Sequence, residues 1–144
     1  MQDIIKKYIF EGNYNLAVEY FEKNNLSLLD IQNMLFSLAY DTESICIYSF
    51  VCYMITKSND ITWIKFAVNI MIHPLCYIEG AYSIALYHSR EILKKEYNEE
   101  NLEMLLFFYD IPEKLISKSE AEEIARKIIE IEPNNIIALE IIEN

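Results

Sequence analysis

The sequence predicts an all-α protein of about four antiparallel helical hairpins stacked one on the next. Three observations lead there. Two glycines and three prolines in 144 residues are too few for a sheet-rich domain, which needs turn residues every ten positions or so. Ile, Leu, Glu, Lys, Asn and Tyr are plentiful instead, as in helices joined by short polar connections. The third observation is that a pattern opening on one glycine returns at the other, 68 residues later, and a fixed period of a few tens of residues marks stacked helical units.

That pattern is Gly-x-Tyr-x-x-Ala: Gly12, Tyr14 and Ala17 in "GNYNLAVEYFEKN", then Gly80, Tyr82 and Ala85 in "GAYSIALYHSREIL". The offset is twice 34, and one step of 34 from the first copy lands on the apolar Tyr48, Val51 and Ile55. Ahead of them Leu35, Leu38 and Ala39 supply a large residue, a leucine and a small residue on one helical face. A fourth copy reads in "EAEEIARKIIEIEPNN", with Ala121, Ala125, Ile128 and Pro133, and "NNIIALEIIEN" reads as a closing helix. The hairpins fall at about 1–26, 28–58, 61–96 and 99–132, with a capping helix at 134–143, all in one domain of 1–144. Small alanines let paired helices approach closely, and each glycine relieves the backbone where the chain reverses.

On these residues the chain resembles a degenerate tetratricopeptide repeat protein (TPR-like), and the resemblance implies a right-handed superhelical array. Two departures are visible. Pro74 falls within what would be the first helix of copy three, where it would start or bend that helix. In copy four "DIPEKLISKSE" replaces the glycine turn with a proline break and a serine cap.

The composition bounds the chemistry. With 12 Lys plus Arg against 23 Asp plus Glu the net charge is -11, a field that repels phosphate backbones and anionic membranes and favours a basic partner. The uncharged runs 44–56 and 66–78 are too short to span a bilayer and read as buried helices. "MQDIIKKYIF" lacks the continuous apolar core of a signal peptide. Cys46, Cys52 and Cys76 have no Cys-x-x-Cys spacing and read as reduced, buried thiols, which points to the cytoplasm.

No cofactor or metal is expected. His73 and His88 do not reproduce His-Glu-x-x-His or any tight ligand spacing; His88 reads as a partly exposed residue on a helix flank, paired with a neighbouring acid. There is no Gly-x-Ser-x-Gly elbow and no glycine-rich loop to cradle phosphate, so catalysis is not expected.

Function is then sought in a surface. The tetratricopeptide resemblance implies a concave binding side lined by first helices, which places Phe36, Tyr40, Glu43, Tyr77, Asp110 and Glu113 there as partner-binding residues. Aromatic rings among carboxylates suit a basic protein: the rings anchor, the acids steer and pair. In general character, through segments such as "IEGAYSIALYHSREIL" and "LLFFYDIPEKL", the chain resembles the small acidic immunity proteins of bacterial toxin–immunity systems. That likeness implies a monomeric cytoplasmic antitoxin that occludes a basic, nuclease-type toxin domain. The alternative is an adaptor or secretion chaperone that recognises a peptide segment.

Overall fold

A computed structural model describes all 144 residues. It contains nine helices and no strand: α1 (Gln2–Phe10), α2 (Tyr14–Lys23), α3 (Leu28–Thr42), α4 (Ile45–Ser58), α5 (Ile61–Ile72), α6 (Ala81–Lys95), α7 (Glu99–Asp110), α8 (Lys118–Ile131) and α9 (Ile136–Glu143). The chain divides into two compact units, Met1–Ala81 and Tyr82–Asn144.

Local chemistry sets where most helices begin. Ser27 caps α3 in a reciprocal box with Asp30, in which each side chain accepts from the other's backbone N–H, at 3.1 and 3.2 Å. Side-chain oxygens of Ser44, Asp60, Asn98, Ser117 and Asn135 accept from the first turns of α4, α5, α7, α8 and α9. Each such bond satisfies an amide that a helix start leaves without a partner. Of the two serines in "DIPEKLISKSE", Ser117 is the cap of α8, and Ser119 lies within its first turn.

In the first unit α4 packs on α5, α1 on α2 and α4, and α3 on α4 and α5. Its centre is aromatic: Phe50 is fully buried and meets Tyr14, Phe21, Tyr53 and Trp63 at ring separations of 5.4, 6.1, 6.1 and 6.5 Å. Tyr14 also donates its hydroxyl to Ser49 at 2.8 Å, and Tyr53 donates to Asn15 at 2.5 Å. In the second unit α8 packs on both α7 and α9 around Leu102, Leu106, Phe108, Ile116 and Ile128, all buried. Ala17, Ala39, Ala85, Ala121, Ala125 and Ala138 are wholly inaccessible, so a larger side chain there would collide with a neighbouring helix.

Both glycines sit at positive φ, +75° for Gly12 and +84° for Gly80, and nothing lies within 4 Å of the place a Cβ would take. The requirement is therefore conformational rather than steric. Gly80→Ala is expected to cost about 1 kcal/mol, seen as a lower urea midpoint. A variant as stable as the parent would show that the turn relaxes to a right-handed conformation.

Pro74 corrects the sequence reading, since it neither starts nor bends a helix. α5 stops at Ile72, and His73 leaves the helix with φ -118° and ψ -93°, since the ring of the following proline disfavours the helical conformation at the residue before it. Pro74 is buried in a turn covering 73–80. The run 66–78 is thus half helix and half turn. The three thiols are free, as expected, but each is half-buried rather than sealed in the core.

His88 also differs from expectation: it is 7% exposed, because the apolar stripe of α6 carries it inward. Burial pushes its pKa below the ordinary 6.5, with the Glu91 charge opposing. The folded form therefore resists protonation that the unfolded chain accepts. Stability from this group is complete above about pH 6.5 and is lost as pH falls through the lower folded value. Urea midpoints are expected to drop between about pH 7.5 and about pH 5.5, and His88→Gln should flatten that slope. An equal slope in the variant would assign the pH dependence elsewhere.

Candidate partner-binding surface

Four of the six residues expected to bind a partner belong to the first unit. Phe36 and Tyr40 stand one turn apart on α3, their rings 5.2 Å apart and edge to face. Phe36 also meets the His73 ring at 6.3 Å. Tyr40 is 53% exposed, its ring position fixed on one side by Phe36. Exposed rings held this way lose little freedom on binding, which is what an anchor residue requires.

Glu43 closes α3 in the left-handed region, φ 53° and ψ 27°. Its carbonyl accepts the hydroxyl of Tyr77, 34 residues later. Tyr77 lies in the turn 73–80 rather than on a first helix, yet this bond ties that turn to the end of α3. The ring stays 56% exposed. Loss of hydration and then the Glu43 charge raise the Tyr77 pKa above its ordinary 10, so the hydroxyl stays a donor at neutral pH. Asp41 and Glu43, which follow Tyr40 in the chain, are both exposed.

Next to Phe36 is a shallow hollow of about 240 Å³ lined by Leu29, Gln32, Asn33, Phe36, Phe66 and Asn69. No charged side chain lines it, and three carboxamides do. Sequence reasoning missed this hollow, because its lining comes from two helices, α3 and α5.

Asp110 and Glu113 belong to the second unit. Asp110 ends α7 and borders a hollow of about 240 Å³ with Tyr109, Lys118, Glu140, Ile141 and Asn144. Glu113 is exposed in the turn 111–117. The following Lys114 places its ammonium 4.7 Å from the centre of the Tyr109 ring. This unit also pairs two carboxyl groups, Glu99 at the start of α7 and Glu132 at the end of α8. A hydrogen bond with Glu132 and the Glu132 charge raise the Glu99 pKa, with burial and Glu103 adding to it. Glu132 is lowered by the amide of Asn135, which donates at 3.0 Å, and by Glu99. Of the two, Glu99 is thus the one whose acid form is favoured. Asn135 also donates to Glu103.

No group of three or more His, Cys, Asp or Glu side chains is placed to hold a metal ion. No helix is long and apolar enough to cross a membrane. Comparison with known proteins finds no matching family model, no matching curated protein and no matching solved structure.

Proposed function

We propose that the chain is a non-catalytic binding protein that docks a basic folded partner through the surface at the end of α3, and that it serves as an immunity protein against a nuclease-type bacterial toxin domain. The observation that carries this reading is the pair of exposed tyrosines, Tyr40 braced by Phe36 and Tyr77 tied to the Glu43 carbonyl, with the exposed Asp41 and Glu43 following Tyr40 in the chain. The net charge of -11 would speed encounter with a cationic domain. Carboxylates would then occupy positions that a nucleic-acid substrate gives to phosphates, and no turnover is involved.

A TPR-like stacking of the hairpins is part of the same proposal. Support comes from side-chain bonds between residues about one repeat apart, Tyr14 with Ser49, Asn15 with Tyr53 and Glu43 with Tyr77, and from the alanines buried at corresponding positions. The uncharged hollow beside Phe36 favours a second reading, an adaptor that takes up a peptide segment, because carboxamides match a peptide backbone in both donors and acceptors.

The test is capture from an extract of the native organism on the purified chain, at low and then moderate salt, followed by co-expression. One basic domain released by salt, toxic alone and harmless with this chain, is the expected result. Retention of several proteins that share an unstructured tail would replace immunity by the adaptor reading. Retention of no basic protein would remove the immunity reading altogether.

A further inference from the structure

The hollow of about 240 Å³ beside Phe36 is built from two short stripes. Leu29, Gln32, Asn33 and Phe36 stand on α3 at the i, i+3, i+4, i+7 spacing that shares one helix face, and Phe66 and Asn69 stand one turn apart on α5. Both aromatic rings are braced: Phe36 by Tyr40 at 5.2 Å and His73 at 6.3 Å, Phe66 by Trp63 at 5.8 Å. Leu29 keeps 67% of its surface exposed, so apolar area remains for an occupant to cover.

The polar preference comes from Gln32. Asn33 and Asn69 present exposed carboxamides, whereas Gln32 is half-buried and its Nε2 is closed off from solvent with no acceptor. A covered donor left this way costs the folded chain the hydration it gave up. The terminal torsion of a glutamine is broad, so an acceptor seated in the hollow can draw the N–H2 round to itself. No charged side chain lines the hollow, and an ammonium or carboxylate entering it would shed water without meeting a counter-ion. An uncharged carbonyl escapes that penalty, and a primary amide adds donors for the carboxamide oxygens.

Size narrows the occupant further. The volume falls below the roughly 300 Å³ at which small-molecule sites begin, which suits the tip of one side chain and not an extended chain. Phe36, which lines the hollow, also braces Tyr40 of the docking surface. We infer that the hollow receives a primary carboxamide, the tip of an asparagine or glutamine side chain, from the protein that docks at the end of α3. The source of that side chain rests on the docking proposed above; the chemistry of the hollow does not.

The test titrates butyramide, which reproduces the end of a glutamine side chain, into the free chain while the side-chain amide signals of Gln32, Asn33 and Asn69 are followed. Saturable shifts are expected, with weaker binding of butyrate, of butylammonium and of N-methylacetamide, a mimic of the main chain. Gln32→Met should weaken butyramide by roughly fivefold, the worth of one neutral hydrogen bond, while its urea midpoint rises because no covered donor remains. Asn69→Ala, at an exposed position, should weaken butyramide with the midpoint nearly unchanged. Absence of saturation overturns the inference, and so does equal affinity for any of the three comparison compounds or full affinity in either variant. A lowered midpoint in Gln32→Met would overturn it too, by showing that the donor is already spent within the chain. No partner enters this titration, so its failure leaves docking through Tyr40 standing, and a failure of docking shows instead in the capture experiment.

Discussion

Phe50→Ala is expected to remove about 3–5 kcal/mol of stability from the first unit. The ring is fully buried and touches four aromatic neighbours drawn from α2, α4 and α5. Truncation leaves a cavity whose rim is made of stiff rings, which collapse poorly. Against a typical stability of about 5–15 kcal/mol, the loss brings this unit close to unfolding at room temperature. The sole tryptophan, Trp63, stands 6.5 Å from Phe50, so its fluorescence during urea titration reads this unit directly. Phe50→Leu, which retains most of the volume, should cost clearly less. If the alanine variant kept the parental midpoint, the aromatic cluster could not be the core of this unit.

The second large effect concerns binding. Tyr40→Ala and Tyr77→Ala should each weaken the complex with a captured basic partner by about 2 kcal/mol, roughly 30-fold, while Tyr40→Ala leaves folding stability nearly unchanged because its ring is half exposed. Tyr77→Phe separates two contributions, since it retains the ring and loses only the bond to the Glu43 carbonyl. It should fall between Tyr77→Ala and the parent, because the turn it sits on is then less well held. Calorimetric titration at two salt concentrations measures all three. Full affinity in both alanine variants would sink the proposed docking surface.

The helical class was legible because it rests on sums over many residues: scarce glycine and proline, and apolar residues at helical spacing. The alanine positions were legible as well, since close helix packing admits only small side chains. Pro74 was misplaced because a repeat frame extends a helix through any position that fits its period, whereas the backbone obeys the missing N–H locally. His88 was misjudged because the charged Arg90 and Glu91 follow it closely; its burial follows from the face α6 turns inward. For the candidate surface, the residue types at Phe36 and Tyr40 could be read on one helix face. The bond from Tyr77 to a backbone carbonyl 34 residues earlier could not, since a carbonyl has no sequence signature. The hollow beside Phe36 was invisible for a related reason: its lining is shared between α3 and α5.

Glu43 holds a backbone conformation that glycine or asparagine would adopt at lower cost, and it does so where the proposed partner would dock. A library screened for heat resistance alone should therefore favour Glu43→Gly, with its main-chain carbonyl still present for Tyr77. The same variant, screened for protection of a toxin-exposed cell, should lose ground. Opposite rankings of one substitution under two selections would mark this position as kept for recognition at the expense of rigidity.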